Sequence, residues 1–283
     1  MQAPTGSLLR LLFDELLDPN SAAIAGNYRV NAGAVPVAAA LLEPDGRTVA
    51  LTLAARVTGA FTVSISGVRD LAGNMIAAGT TVAGTVRVQA LLIDFGAAAT
   101  TTANGPAPDD PDRFWNNVTD SLGATVGGQL PDLVTTDNTP TGTGLVIVSR
   151  FNGANTNGTL ASALLPPDAT RDSLFGNTDT FSGLSNVRLS FKLTGLDRLR
   201  TYDFTFYASR PVVGDNRETG YMDFGANADA ATLNAAGNID QVAVVTGIAP
   251  DSAGEITIRL APGAANNNAN HFTYLGALKI EPR

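Results

Sequence analysis

The sequence contains no cysteine, and this absence excludes several kinds of chemistry at once. Disulfide bonds, zinc–thiolate sites and thiol nucleophiles all need cysteine side chains. The only histidine is His271, and a lone histidine is a poor basis for a metal site. A Ser-His-Asp triad would have to use His271, and no Gly-x-Ser-x-Gly motif is present. We therefore expect a non-catalytic protein, although a carboxylate pair for glycoside hydrolysis stays open, because its spacing is set in space.

Long apolar runs are also missing. No segment approaches the roughly 20 apolar residues that a membrane-spanning helix needs. Residues 8–17 are interrupted by Arg10, Asp14 and Glu15, so they do not form the apolar centre of a signal peptide. With 44% apolar and only 16% charged residues, the composition is typical of a globular protein with a rather neutral surface. We expect no membrane insertion and no signal peptide within this chain.

Charge is unevenly distributed along the chain. Residues 1–88 carry six acidic and six basic side chains, so residues 89–283 account for the whole net charge of −8. An acidic domain is a poor partner for nucleic acid or for an anionic membrane surface. It is compatible with neutral glycans or with bound calcium. The alternative is that the acidity only keeps a secreted protein soluble.

The first 88 residues show the pattern of short strands separated by turns. Apolar residues alternate with polar ones over 48–53 and over 61–66, as expected for strands with one buried face. Asp45-Gly46 and the segment Asp70-Leu71-Ala72-Gly73-Asn74 carry turn residues. These features predict a β-sandwich domain over residues 1–88.

Several motifs of this first domain resemble a known family. They are Phe13-Asp14-Glu15, Asn27-Tyr28-Arg29-Val30, Asp45-Gly46-Arg47-Thr48-Val49 and Val68-Arg69-Asp70-Leu71-Ala72-Gly73-Asn74. Together they resemble the bacterial Ig-like domains of surface-layer type. The resemblance implies an Ig-like sandwich that acts as a spacer. Asp70 and Asn74 could bind an ion, or they could simply form a turn in which Asp70 bonds to the following backbone.

Residues 89–283 predict a second, larger all-β domain. Apolar or alternating segments recur at 90–96, 145–149, 187–193, 201–208, 241–245, 256–260 and 274–280, and no long helical period occurs. About eight strands with irregular loops favour a jelly-roll β-sandwich. The whole chain is thus predicted to be all-β, with an Ig-like β-sandwich followed by a larger jelly-roll β-sandwich.

The second domain also carries familiar motifs. They are Ile93-Asp94-Phe95-Gly96, Trp115-Asn116-Asn117, Gly195-Leu196-Asp197, Tyr202 to Arg210, Arg217 with Tyr221, and Pro250 to Ile256. Together they resemble the carbohydrate-binding-module-like jelly rolls of secreted bacterial proteins, which are often joined to esterase or glycosidase domains. The resemblance implies a secreted or cell-surface location and a glycan as the ligand.

The candidate ligand-binding residues are Trp115, Asn117, Arg210, Arg217 and Tyr221. Sugar binding needs an aromatic face and planar polar groups, and Trp115, the only tryptophan, is followed by two asparagines. The alternative for Trp115 is a place in the core. Arg210 and Arg217 could grip hydroxyls or a carboxylate in bidentate fashion, or they could pair with nearby acidic residues to hold their own loop.

Calcium is the one metal that the sequence suggests. Ca²⁺ is bound by six to eight oxygen atoms, and Asp94, Asp110 and Asp112 are candidate ligands. Asp110 and Asp112 belong to the cluster Asp109-Asp110-Pro111-Asp112, which has no EF-hand spacing and could equally be a solvated acidic loop.

The sequence therefore predicts a non-catalytic extracellular segment whose jelly roll binds a polysaccharide or other glycan and whose Ig-like domain is a spacer. The alternative is a structural unit of a surface layer, fibre or adhesin that contacts neighbouring copies of itself. A third hypothesis is an accessory domain that packs against a catalytic domain elsewhere in a larger protein.

Overall fold

The structure is a computed structural model that describes residues 8–55, 57, 59–86, 90–102 and 114–283. The chain divides into two compact units, Met1–Val88 and Gln89–Arg283. Within the described residues, no helix is both long and apolar enough to cross a membrane. The side chains of Asp110 and Asp112 lie outside the described residues.

The described strands of the first unit form two antiparallel sheets, with the orders β1-β4-β3 and β2-β5-β6. The strands are β1 (Leu8–Leu12), β2 (Tyr28–Val30), β3 (Val37–Leu42), β4 (Thr48–Leu53), β5 (Gly59–Ile65) and β6 (Thr81–Val86). One helical turn, α1 (Pro19–Ala22), and 3₁₀ turns at Ala25–Asn27 and Asn31–Gly33 connect them. Asp18 caps α1, because its carboxylate accepts hydrogen bonds from the N–H groups of Asn20 and Ser21.

The core of the first unit lies between these two sheets. In β4 the side chains of Val49 and Leu51 are fully buried, and in β5 Val63 is fully buried. Both strands belong to a single apolar cluster, so the two sheets share one core. Period-two alternation directs every second side chain into this core, and the first unit is therefore a β-sandwich.

The segment from Asp70 to Asn74 is a turn held by its own side chains. One Asp70 oxygen accepts a hydrogen bond from the Asn74 N–H at 2.8 Å, and the other accepts one from the Asn74 side chain at 2.7 Å. Gly73 has a φ of 88°, which a residue with a side chain adopts only under strain. The hydrogen bonds from Asn74 hold the pKa of Asp70 below its ordinary value. Turn formation thus accounts for this motif.

The second unit contains the remaining described strands and two helical turns. The strands are β7 (Leu91–Gly96), β8 (Asn116–Thr119), β9 (Gln129–Leu130), β10 (Gly144–Ser149), β11 (Gly153–Asn155), β12 (Ser173–Gly176), β13 (Ser190–Thr194), β14 (Tyr202–Tyr207), β15 (Glu218–Phe224), β16 (Ala228–Asn234), β17 (Ala243–Ile248), β18 (Ile256–Pro262), β19 (Thr273–Leu275) and β20 (Ala277–Pro282). The helical turns are α2 (Asp120–Gly123) and α3 (Pro167–Thr170), and a 3₁₀ turn spans Ala98–Thr100.

Two large sheets and one small sheet form the described part of this unit. Their strand orders are β16-β15-β18-β13-β10-β9, β17-β14-β20-β7-β8 and β11-β12-β19. Within the second of these, β7 and β8 are parallel. Phe204 and Phe206 of β14, and Ile256 and Ile258 of β18, come from different large sheets and join one buried cluster. The predicted all-β sandwich fold is confirmed.

Candidate functional site

An open groove lies beside the small sheet of the second unit, and we call it the aromatic groove. Its volume is about 420 Å³. Its lining consists of a short segment from Ala154 to Asn157, two arginines, Arg210 and Arg217, and four aromatic residues, Phe175, Phe181, Phe272 and Tyr274. Strands β11, β12 and β19 bring Ala154, Asn155, Phe175 and Tyr274 together, because β12 pairs with both of the other strands.

Three of the four aromatic rings of the groove, Phe175, Phe181 and Phe272, contact one another edge to face. The centroids of Phe181 and Phe272 are 4.9 Å apart with the planes at 83°, and those of Phe175 and Phe272 are 5.6 Å apart at 86°. Tyr274 completes the group, tilted at 40° to Phe175. The edge-to-face arrangement of Phe175, Phe181 and Phe272 is a preferred geometry for aromatic pairs, so these rings stabilise one another. Phe181 is 37% exposed and offers part of its ring to solvent.

Arg217 connects the aromatic rings to the loop before β15. Its Cζ lies 5.6 Å from the centroid of Phe272 and 5.8 Å from that of Tyr274, within the range of cation–π attraction. Its Nε donates to Asp215 Oδ1 at 2.8 Å. The hydrogen bonds from Arg217 and from Asn268 hold the pKa of Asp215 below its ordinary value. Arg217 is therefore fixed in place before any ligand arrives.

Arg210 is held by its backbone, and its guanidinium interacts with Tyr274. Its N–H donates to the Ala235 carbonyl at 2.7 Å, and its own carbonyl accepts from the Gly237 N–H at 3.1 Å. Burial raises the pKa of Tyr274, and Arg217 and Arg210 partly offset that rise, which places the Arg210 guanidinium near the Tyr274 hydroxyl. Within the described residues Arg210 forms no ion pair, so its charge is available to a ligand.

The asparagine-rich segment after β18 holds residues that border the groove. The Asn266 side chain donates to the carbonyls of Glu218 and Phe272, each at 2.9 Å. The Asn268 side chain donates to Asp215, the partner of Arg217. The ring of His271 contacts the Asp179 carboxylate. These asparagines satisfy backbone and side-chain groups of the protein itself, as turn-forming residues do.

The structure brings two of the five predicted ligand-binding residues into the groove, Arg210 and Arg217. Trp115 and Tyr221 are both 0% exposed and present no surface to a ligand. Trp115 packs against Leu92 and Tyr207 in a small apolar cluster, as the core alternative for this residue required.

Tyr221 lies beneath the groove, where its hydroxyl donates to the Tyr274 carbonyl at 2.8 Å. Its ring stacks on Phe206 at 4.5 Å. Asn117 lies on β8, where its side-chain amide donates to the Thr102 carbonyl at 2.9 Å. Neither residue lines the groove.

The aromatic residues of the groove were not among the predicted ligand-binding residues. Phe272 and Tyr274 follow the asparagine-rich segment directly, and Phe175 and Phe181 flank the buried Asn177. Aromatic residues next to asparagine-rich turns are the one sequence signal that could have indicated them. The pairing of β12 with β19 is what joins the two segments, which are nearly 100 residues apart.

No three Asp, Glu or His side chains gather as a metal site in the part of the chain that the structure describes. Asp94 is 1% exposed, and its Oδ2 accepts a hydrogen bond from the Thr102 N–H at 2.8 Å. Burial, and to a smaller extent the nearby Asp172, raise the pKa of Asp94 to about 7.

No protein-family model and no curated protein matches the chain. Among solved structures, the N-terminal part of the bacterial S-layer protein SbsC is similar over 68% of this chain and 38% of its own, with 12% identity and a TM-score of 0.33. The ANX2 ectodomain from Arabidopsis thaliana is similar over 83% of this chain and 56% of its own, with 11% identity and a TM-score of 0.41.

A third solved structure is TmCBM61 in complex with beta-1,4-galactotriose. It is similar over 49% of this chain and 87% of its own, with 10% identity and a TM-score of 0.27. The chain spans less than two thirds of the S-layer and ANX2 structures. All three similarities are too weak to indicate a shared function.

Proposed function

We propose that the second unit is a non-catalytic glycan-binding domain and that the aromatic groove is its binding site. The observation that carries this proposal is that the partly exposed Phe181 lines the same groove as Arg210, which forms no ion pair with an acidic side chain in the described residues. The first unit then acts as a spacer, and the whole chain is part of a secreted or surface-attached bacterial protein.

The chemistry of the groove suits a sugar. Aromatic rings contact the apolar C–H face of a pyranose, while planar guanidinium and amide groups bind its hydroxyls. Phe181 and Phe272 supply aromatic rings in the groove, and Arg210, Asn155 and Asn157 supply guanidinium and amide groups. The described residues that line the groove include no Asp, Glu or His, so the groove lacks the carboxylate pair that glycoside hydrolysis uses.

A glycan array tests this proposal. We expect the wild-type chain to bind at least one plant or bacterial polysaccharide, and Arg210→Ala to bind it at least tenfold more weakly. Arg259→Ala is the matched control, because Arg259 lies over Phe224, an aromatic residue outside the groove, at 5.1 Å. Folded wild-type protein that binds no glycan, or equal losses in the two variants, would contradict the proposal.

A second candidate function is self-assembly, and strand β3 favours it. Its sequence from Val37 to Leu42 is entirely apolar, and within the described residues it pairs only with β4, so it is an edge strand. Ala38 and Ala39 are exposed, and Leu41 is 66% exposed. An uncharged apolar edge can pair with the same edge of another copy.

Sedimentation velocity over a range of concentrations distinguishes this candidate. Self-assembly through β3 predicts that the sedimentation coefficient of the wild type rises with concentration. It also predicts that Ala39→Lys, which places a charge at the edge, abolishes that rise. A wild-type chain that stays monomeric throughout would remove this candidate and leave the glycan-binding proposal untouched.

A further inference from the structure

Besides the two oxygens of Asp223, four buried side-chain oxygens of the second unit lack a hydrogen-bond partner within the described residues. They are Oδ1 of Asp94, Oγ1 of Thr102, Oδ1 of Asn117 and Oδ1 of Asp172. Asp94 and Asp172 are each 1% exposed, and Thr102 is 4% exposed. Buried polar groups without partners cost free energy, so four of them on one side of a sheet require a physical explanation.

Strands β7 and β8 bring these oxygens to the same face. The parallel pairing sets Asn117 opposite Asp94, and side chains at paired positions point to the same side of a sheet. Gly96 lies two residues after Asp94, on that same side. The Asp172 carboxylate lies against Gly96, because a Cβ built at Gly96 would overlap it.

Thr102 joins the members of this set to one another. Its N–H donates to Asp94 Oδ2 at 2.8 Å, and its carbonyl accepts from the Asn117 side chain at 2.9 Å. Since the amide group of Asn117 is turned towards Thr102, its oxygen is left without a partner. Asp172 Oδ2 holds the start of the same loop, where it accepts from the Ala97 N–H at 2.7 Å.

The two buried carboxylates of the set have no cationic side chain paired with them in the described part of the chain. Arg171 is the nearest cationic neighbour in sequence, but its side chain is 43% exposed and pairs with Asp168 at 3.2 Å. Neither buried carboxylate forms an ion pair with an Arg or Lys within the described residues.

We propose that Asp94, Thr102, Asn117 and Asp172 bind a divalent cation, and that the cation is Ca²⁺. Two carboxylates balance the charge of a divalent ion, and the four free oxygens are hard ligands of the kind that Ca²⁺ takes, with water completing the shell. A mixture of carboxylate, amide and hydroxyl oxygens suits Ca²⁺ better than zinc, which prefers nitrogen and sulfur. The site is separate from the aromatic groove, because none of the four residues lines that groove.

Calorimetric titration of the full chain with CaCl₂ after removal of metal with EDTA tests this site. We expect one ion to bind per chain and the melting temperature to fall when EDTA is added. Asp172→Asn should weaken calcium binding at least tenfold. Asp168→Asn is the matched control, because it removes an exposed carboxylate near the site, and its calcium affinity should equal that of the wild type. The absence of saturable binding to the wild type, or equal binding by Asp172→Asn, would overturn the proposal.

Terbium luminescence provides a second readout, and its first result needs only the wild-type chain. Trp115 packs against Leu92, which lies two residues before Asp94 on the same face, so a Tb³⁺ ion at the site is next to the only tryptophan. Excitation of wild-type protein should give sensitised emission that saturates at one equivalent and that Ca²⁺ reverses. Trp115→Phe should lose most of this emission and keep calcium binding. Folded wild-type protein without sensitised emission would also overturn the proposal.

Discussion

The guanidinium of Arg217 lies over the ring of Phe272, with Cζ 5.6 Å from the ring centroid. The same guanidinium is anchored by Asp215, so its position is set from two directions. The ion pair with Asp215 and the stacking on Phe272 together restrict the motion of the Arg217 side chain. A side chain that is already fixed loses less conformational entropy when a ligand binds to it. Arg217 and Phe272 both line the aromatic groove.

Arg217→Lys should therefore weaken both the fold and the site. A lysine cannot form the two-pronged contact with Asp215 and stack on Phe272 at the same time. We expect a loss of about 1–2 kcal/mol in the free energy of unfolding, measured in urea, from the cation–π and ion-pair contributions together. Glycan affinity should fall at least tenfold. Unchanged stability would show that Arg217 does not anchor the groove.

Trp115→Ala should act on stability rather than on binding. The side chain is completely buried among Leu92, Ala169 and Tyr207, so its removal leaves a cavity that costs about 3–5 kcal/mol. Urea unfolding at neutral pH measures the loss. The fraction of variant that remains folded should bind glycan with wild-type affinity. A stable variant with lost glycan binding would place Trp115 at the binding site and contradict this assignment.

Asp223 should make stability depend on pH. It is fully buried within the second unit, and neither of its oxygens has a partner within the described residues. Burial, with a smaller contribution from Asp229 across the β15–β16 pair, raises its pKa to about 8. The folded state thus binds a proton that the unfolded state releases near pH 4. Stability should fall as pH rises from about 4 to 8, by up to about 1.4 kcal/mol per pH unit.

Unfolding of wild type and Asp223→Asn between pH 5 and 9 separates this contribution from other groups. Asparagine stays neutral, so the variant should lose this part of the pH dependence and be the more stable protein at pH 9. Parallel pH profiles for the two proteins would show that Asp223 is not the group responsible.

Gly96→Ala should be far more harmful than another glycine-to-alanine change in a strand. A Cβ at Gly96 meets the Asp172 carboxylate, whereas the nearest contact for one at Gly220 of β15 is the Ala261 carbonyl at 3.6 Å. We expect Gly96→Ala to cost about 1–3 kcal/mol and Gly220→Ala to be close to neutral. Thermal unfolding of both variants measures the difference, and equal melting temperatures would place Asp172 elsewhere.

Alternating segments of the sequence predicted strands well, because a strand with one buried face repeats every two residues. The segments 48–53, 201–208 and 256–260 all contain strands of the structure. Strand ends were less predictable: the pattern favoured a start at Val187, but β13 begins at Ser190, since Val187 forms an isolated bridge with Asn177. The alternating pattern continues back to Val187, but continuous backbone pairing begins only at Ser190, so pairing sets the start of β13.

The site was only partly predictable. Arg210 and Arg217 stand close together in a polar loop, so sequence spacing alone indicated them. Phe175 and Phe272 join the same groove only because β12 pairs with β19, and no local pattern encodes that pairing. Trp115 was predicted as a ligand-binding residue because tryptophan often stacks on sugars, but the packing of the fold buries it completely.

The affinity of three proteins for one glycan tests the central claim most directly. The proteins are the wild type, Phe181→Ala and Phe224→Ala, and the glycan is the strongest binder on the array. The two phenylalanines are 37% and 38% exposed in the same unit, but only Phe181 lines the groove. We predict that Phe181→Ala loses at least tenfold in affinity and that Phe224→Ala keeps wild-type affinity. An equal affinity of all three proteins, or a loss confined to Phe224→Ala, would contradict the assignment of the aromatic groove.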